Sequence, residues 1–364
     1  ARGHTASGVL LYARSQSTRL PMTTQQQLAI DPGPALQDFP SGLDATSDPT
    51  NTSTLEASCS FGEFDSAAVH CEIVGPRGAP VIAVLGGISA SRHVTSSASD
   101  PSPGWWEDVV GPGRAIDTRQ FRVLGIDYVT SGKNTAPVTT ADQAEALAVA
   151  LDRVGVQSLH ALVGASYGGM VALAFGVAFP ARAGRLVVIS AAHESDPIAT
   201  ALRHLQRRVV ALGSAAGRER DGLAIARGIA MTSYLTPRYF EERLEGCDRN
   251  DSTLVEDRIG GYLRKRGEQF ADQWTSERYN ALSLSLDLHK IRPEDITIPA
   301  TVIAISSDRL VPVAQTRELA QRLGGPSQLI ELDSSLGHDA FLGDFSRVAP
   351  FINELLRLEP EAVS

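Results

Sequence analysis

Apolar residues along this chain gather into short, almost unbroken runs: PVIAVL (80–85), FRVLGID (121–127), LHALVG (159–164), RLVVIS (185–190), TVIAIS (301–306) and QLIELD (328–333). Each run is four to seven residues of mostly branched or long aliphatics, bounded by turn-forming residues. That pattern predicts strands covered on both faces, as in a parallel sheet, because a half-exposed strand alternates instead. Helical spacing lies between several of them. The segment 139–155 has Thr140 or Asp142 near its start and Gly155 after its end, 168–179 is stopped by Pro180, and 346–358 is amphipathic. Strand alternating with helix predicts an α/β fold with a mostly parallel sheet, right-handed crossovers and helices on its flanks.

Two stretches break the rhythm. Residues 1–54 are rich in Pro, Gly, Ser and Thr and have no acid before Asp31. They read as an N-terminal extension and linker, partly disordered, with residues 1–21 as sequence upstream of a start at Met22. Residues 194–289 carry helical patterns and no strand run, so they read as a helical lid inserted between a first core part (55–193) and a second (290–364).

Charge and cysteine content narrow the functions open to such a fold. The net charge of −9 argues against duplex nucleic acid or an anionic membrane as the main partner. Clusters such as Arg207-Arg208 and Arg264-Lys265-Arg266 read as solvated helix faces. Cys59, Cys71 and Cys247 are odd in number and form no CxxC, which suits a reducing compartment, and no apolar run approaches the ~20 residues that span a bilayer. No metal site or bound cofactor is expected.

The chemistry centres on Gly164-Ala165-Ser166-Tyr167-Gly168, which follows one strand run and opens a helix. A serine between glycines at such a junction sits on a sharp turn, a nucleophile elbow, with its hydroxyl exposed at the sheet's carboxyl edge. The following amide, that of Tyr167, then points at a developing oxyanion. A serine needs a histidine held by a carboxylate, and in α/β-hydrolase folds both follow it in the chain. Asp308 comes just after TVIAISS, and His338 lies in the loop beyond QLIELD. His193, His204 and His289 are rival bases and Asp333 a rival acid, each read as structural. The glycine-rich LGGISAS (85–91) follows an early strand, and Ile88 is chosen as its oxyanion donor.

Beyond the elbow, longer segments resemble the homoserine O-acyltransferase (MetX) family from about Cys59 to Leu358. They include GWWEDVVGPGRAIDTRQF (104–121), VGASYGGMVALAF (163–175), VEDRIGGYLRKRGEQFADQWTSERYNALSLSLDLH (255–289), SSDRLVP (306–312) and GHDAFL (337–342). The resemblance implies an α/β-hydrolase-fold enzyme of methionine biosynthesis, a cytoplasmic homodimer joined through lid helices. It also implies that Ser166 passes an acyl group from acyl-CoA, a co-substrate, to the hydroxyl of L-homoserine. Carried onto this chain, Arg227 holds the homoserine carboxylate, Asp339 its ammonium, and Tyr234 and Ser89 make secondary contacts. Two positions depart from the family pattern: Tyr167 stands where Met usually follows the serine, and the early loop reads Gly86-Gly87-Ile88-Ser89-Ala90. A succinyl donor brings a carboxylate that needs a cation. Arg309, next to Asp308, is the residue expected to supply it, which favours succinyl over acetyl. Homoserine O-acetyltransferase, serine O-acyltransferase and plain esterase are the alternatives, and a non-catalytic binding protein on the same fold is a further one.

Overall fold

The computed structural model describes residues 53–60, 66–130, 137–246, 248 and 250–357. The expectations for residues 1–21, for nearly all of the linker and for Cys247 lie outside them. In chain order the strands and helices begin with β1 (Ser53–Ser60), β2 (Ser66–Val74), β3 (Val81–Leu85), β4 (Val110–Gly111), β5 (Ile116–Asp117) and β6 (Arg122–Ile126). There follow α1 (Thr140–Arg153), β7 (Ala161–Ala165), α2 (Tyr167–Ala178) and β8 (Leu186–Ile189). Helices α3 (Pro197–Ala215), α4 (Glu219–Tyr234), α5 (Pro237–Arg243), α6 (Ser252–Val255), α7 (Gly261–Ala271) and α8 (Ser276–Leu288) come next without an intervening strand. The chain then makes β9 (Ala300–Ile305), α9 (Val313–Arg322), β10 (Ser327–Leu332), α10 (Ala340–Gly343) and α11 (Phe345–Arg357).

Eight strands form one sheet in the order β1-β2-β6-β3-β7-β8-β9-β10. From β6 to β10 every pairing is parallel, so these strands present their carboxyl ends along one edge. Strands β3, β7, β8 and β9 are buried at every position, which is why they read as unbroken apolar runs. Of the antiparallel edge β1–β2–β6, β6 was marked as strand within FRVLGID, whereas β1 and β2 were not. In β2, Val69, Cys71 and Ile73 pack in the core, and the polar residues between them interrupt any apolar run. Helix α9 was also unmarked; only Thr316, Leu319 and Ala320 are buried on it, too few to make a periodic signal.

The helices begin where side chains satisfy their first amides. At α1, Thr139 accepts from Asp142 N while the Asp142 carboxylate accepts from Thr139 N, a reciprocal cap one residue before the expected start. Helix α2 is different. It runs through the centre of the molecule, buried from Tyr167 to Gly176, and its glycines allow the sheet to approach closely. A Cβ on Gly164 would overlap the Gly168 carbonyl, and one on Gly168 would overlap that of Leu85. Gly164→Ala is therefore expected to lower stability by roughly 1–3 kcal/mol and to displace the turn it supports. Urea unfolding checks the first effect, and a midpoint equal to wild type would contradict the packing.

Candidate active site

Strand β7 ends at Ala165 and α2 begins at Tyr167, leaving Ser166 alone to reverse the chain. Its backbone adopts φ 54° and ψ −120°, a left-handed conformation that L-residues other than glycine avoid. The turn is held by Ser166 N–H donating to Ile189 O at 2.8 Å and Gly168 N–H donating to Gly86 O at 2.8 Å. Strain of this kind persists only where surrounding packing dictates it. The hydroxyl is thereby raised above the sheet's carboxyl edge at a helix N-terminus.

Two loops from neighbouring strand ends meet it there. His338, 3% exposed in a short helical turn after β10, has Nε2 2.8 Å from Ser166 Oγ. Its Nδ1 lies 2.7 Å from Asp308 Oδ2. The other oxygen of Asp308 accepts from the backbone N–H groups of Leu310 (2.8 Å) and Val311 (3.0 Å), which fixes the carboxylate plane. Burial pushes the His338 imidazole down, but the charge of Asp308 and its hydrogen bond, with Asp339 beyond, outweigh burial and raise it above its ordinary value.

The rivals are all occupied elsewhere. His289 is pushed down to about 4 by burial and bonds Thr140 Oγ1 and Ala192 O. His193 lies beside Arg322 and Glu318, His204 is exposed on α3, and Asp333 accepts from Ser306 Oγ.

Ser166 and His338 open into a chamber of about 240 Å³. Gly87, Ile88 and Ser89 line the chamber, and a Cβ on Gly87 would stand 3.9 Å from Ser166 Oγ, so this turn passes close to the hydroxyl. Tyr167 supplies the first amide of α2, a position with no helical acceptor. Arg227, Tyr234 and Asp339 also line the chamber. The Arg227 guanidinium stands 5.3 Å from the ring centres of both Tyr234 and Phe270, and the Tyr234 ring lies 5.6 Å from that of His338. Burial raises the Asp339 carboxyl, although His338, Arg227 and Arg266 oppose that shift.

Arg309 is not among these residues, which corrects the expectation for it. Its side chain is exposed and turns away to the Thr232 carbonyl, 3.4 Å from Nη1, while the next residue, Leu310, faces the chamber. The cation that sequence reasoning passed over is Arg203. It is 7% exposed and lines the chamber from α3. Its Nε donates to Asp287 Oδ1 at 2.6 Å, and it also bonds Ser195 Oγ. Arg207, read as part of a solvated face, sits 2.6 Å from the other oxygen of the same carboxylate and donates to Ser283. Two arginines thus share one buried acid. The i, i+4 spacing of 203 and 207 was legible, but their distant partner was not.

Comparison with known proteins accords with this geometry. Residues 80–345 match the model of the α/β-hydrolase fold family. Homoserine O-succinyltransferase of Xanthomonas campestris pv. campestris is 43% identical, over 80% of this chain and 79% of its own length. Serine O-succinyltransferase of Litchfieldella anticariensis is 32% identical, over 81% and 94%. Homoserine O-acetyltransferase of Moorella thermoacetica is 30% identical, over 83% and 93%. The chain belongs to the homoserine O-acyltransferase family, on the α/β-hydrolase fold.

Against the pattern expected of the homoserine O-acyltransferases, Tyr167 is the marked departure, and its surroundings explain how it is accommodated. The ring is fully buried, edge-on to Tyr128 at 4.8 Å, and its hydroxyl is 2.6 Å from Ser285 Oγ on α8. Tyr128 in turn donates to Gly86 O at 2.6 Å, the carbonyl that also receives Gly168 N–H. Elbow, early loop and helical insertion are therefore tied through two phenols.

A general base must be neutral to accept a proton, and here the imidazole is held above its ordinary 6.5. The acid limb of kcat/KM is expected above that value, with activity lost as pH falls through it. Asp308→Asn removes the raising charge, so the limb should move to lower pH while the rate drops by roughly 10⁴. A pH–rate profile with an unmoved limb would contradict the assignment.

Proposed function

We propose that this chain moves an acyl group, succinyl in preference to acetyl, from acyl-CoA to the side-chain hydroxyl of L-homoserine in methionine biosynthesis. The observation that carries this reading is a 2.7 and 2.8 Å proton path opening into a chamber that also holds a cation and an acid for the acceptor, Arg227 and Asp339. A free amino acid carries one charge of each sign, and a chamber lacking either partner would leave a charge desolvated at a cost of several kcal/mol.

In the proposed reaction His338 Nε2 takes the Ser166 proton as Oγ attacks the thioester carbonyl. The amides of Tyr167 and Ile88 receive the oxyanion, and Asp308 stabilises the imidazolium. Collapse expels the CoA thiolate, which leaves as the thiol with the proton from His338. Homoserine then enters with its carboxylate on Arg227 and its ammonium on Asp339, with Tyr234 and Ser89 beside it. His338 removes the hydroxyl proton, the alkoxide attacks the acyl ester, and Ser166 regains its proton as product forms.

The preference for succinyl rests on Arg203. Two guanidiniums around Asp287 leave one positive charge in excess at the wall of a chamber also lined by Leu202, Leu286 and Leu310. An acetyl group gains nothing from that charge, whereas the free carboxylate of a succinyl group is neutralised by it. The serine-specific relative keeps serine as the second reading for the acceptor.

Helices α3 and α4 also support a homodimer. Ile198, Leu205 and Leu212 recur every seven residues on α3 and are 67%, 58% and 63% exposed, with Ile225 of α4 also exposed. An apolar stripe of that period suits packing against a second copy.

Mixing enzyme with succinyl-CoA alone should release one CoA per active site and then stop until homoserine is added. Continued release without it would favour an esterase. With both donors in competition, mass spectrometry should find mainly O-succinylhomoserine. Arg203→Leu should lower kcat/KM for succinyl-CoA by roughly tenfold or more and spare acetyl-CoA; an unchanged donor ratio removes Arg203 from acyl selection. Leu205→Asp should convert a dimer to monomer in light scattering, and an unaltered mass would count against this face.

A further inference from the structure

The chamber reaches the surface beside Leu342, which lines it and is 43% exposed. A second group of side chains stands outside the chamber, on and beside the helix that supplies Phe270 to it. One face of α7 carries Phe270, Arg266 and Tyr262 at a spacing of four, about 6 Å of rise per step. Phe270 lines the chamber, Arg266 is exposed, and Tyr262 lies about 12 Å along the axis from Phe270. Arg243, the last residue of α5, covers the Tyr262 ring at 3.7 Å, and its Nη2 donates to Tyr239 Oη at 3.0 Å. Arg266 lies 6.0 Å from the same ring.

Among the described residues neither arginine has a carboxylate partner within salt-bridge distance. Of the acids near them in sequence, Glu242 pairs with Arg238 and Glu256 with Arg264. Arg243 Nε is buried with no acceptor. Burial pushes the Tyr239 phenol up, yet its bonds from Tyr262 and Arg243 and the charges of Arg243 and Arg266 outweigh it and hold the phenol below its ordinary value. The charge of Arg266 also reaches Asp339 in the chamber. In a chain of net charge −9, two arginines thus gather at Tyr262, on the helix that reaches the reaction chamber through Phe270.

We propose that Arg243, Arg266 and the Tyr239–Tyr262 pair form an outer subsite for the phosphate groups of the CoA donor. A guanidinium stacked on an aromatic ring is held flat, and the N–H groups it does not spend on neighbours suit phosphate oxygens; Arg266 is exposed and presents its own. Phosphates are joined to the thioester by a long flexible arm, so their subsite must stand away from Ser166, as this one does. The rest of the Arg264-Lys265-Arg266 run stays a solvated face; Arg266 differs by its place on the Tyr262–Phe270 stripe. This inference rests on the acyl-CoA reading above and adds where the donor's phosphates bind.

The test compares succinyl-CoA with the truncated thioester succinyl-N-acetylcysteamine, which has no phosphate. In Arg266→Gln and Arg243→Gln, KM for succinyl-CoA should rise roughly tenfold, with kcat and KM for the truncated donor nearly unchanged. Arg243→Lys, which keeps the charge, should recover part of the loss. An unchanged KM for succinyl-CoA, or an equal rise for both donors, overturns the subsite. Calorimetry on the full-length protein, with CoA against pantetheine, separates this from failure of the acyltransferase reading. Loss of the preference for CoA in the Gln variants supports the subsite even if no product forms with homoserine, and retention of it overturns the subsite.

Discussion

Everything in this molecule is arranged around a line of three side chains, Asp308, His338 and Ser166, joined at 2.7 and 2.8 Å. Hydrogen bonds weaken steeply with misalignment, so the line exists only if three loops far apart in sequence hold position to a fraction of an ångström. The parallel sheet meets this requirement. Strands β7, β9 and β10 end at the same edge, and each delivers one member of the line from the turn that follows it. Asp308 is fixed by two backbone amides and Ser166 by a strained turn, so His338 meets partners that are already immobile.

The helices between β8 and β9 give that machinery its setting. They supply Arg203, Arg227, Phe270 and Tyr279 to a space that the sheet alone would leave open to water. Buried charges are costly, and those described here are shared or stacked: Asp287 lies between two arginines, and Arg227 lies against two rings. One consequence is a chamber whose walls are apolar but whose charged points are few and fixed. Mostly apolar walls of this kind offer bound water few partners, which suits a transfer reaction that must compete with hydrolysis.

Much of this was legible in the sequence because the central strands are buried on both faces and so appear as plain apolar runs. The triad was legible for a similar reason: each member follows such a run. Strand β2 was not, since its inward residues alternate with His70 and Glu72, and Glu72 is satisfied by His93 across a loop. Arg309 shows the limit of adjacency. Sitting next to Asp308 in the chain says nothing of direction, and two hydrogen bonds from residues 310 and 311 to Asp308 bend the loop so that Leu310, not Arg309, faces inward. Arg203 escaped for the converse reason, because its carboxylate partner is 84 residues away.

Tyr167 is a phenol where a flexible thioether was expected, and that exchange changes how motion passes through the molecule. Its hydroxyl grips Ser285 on α8, while its own main-chain nitrogen stands at the start of α2 beside the reacting oxygen. Any outward swing of α8 must either break that grip or pull on the residue bearing the amide. The wall of the chamber and the turn that carries Ser166 are thus one mechanical unit, joined through a single side chain.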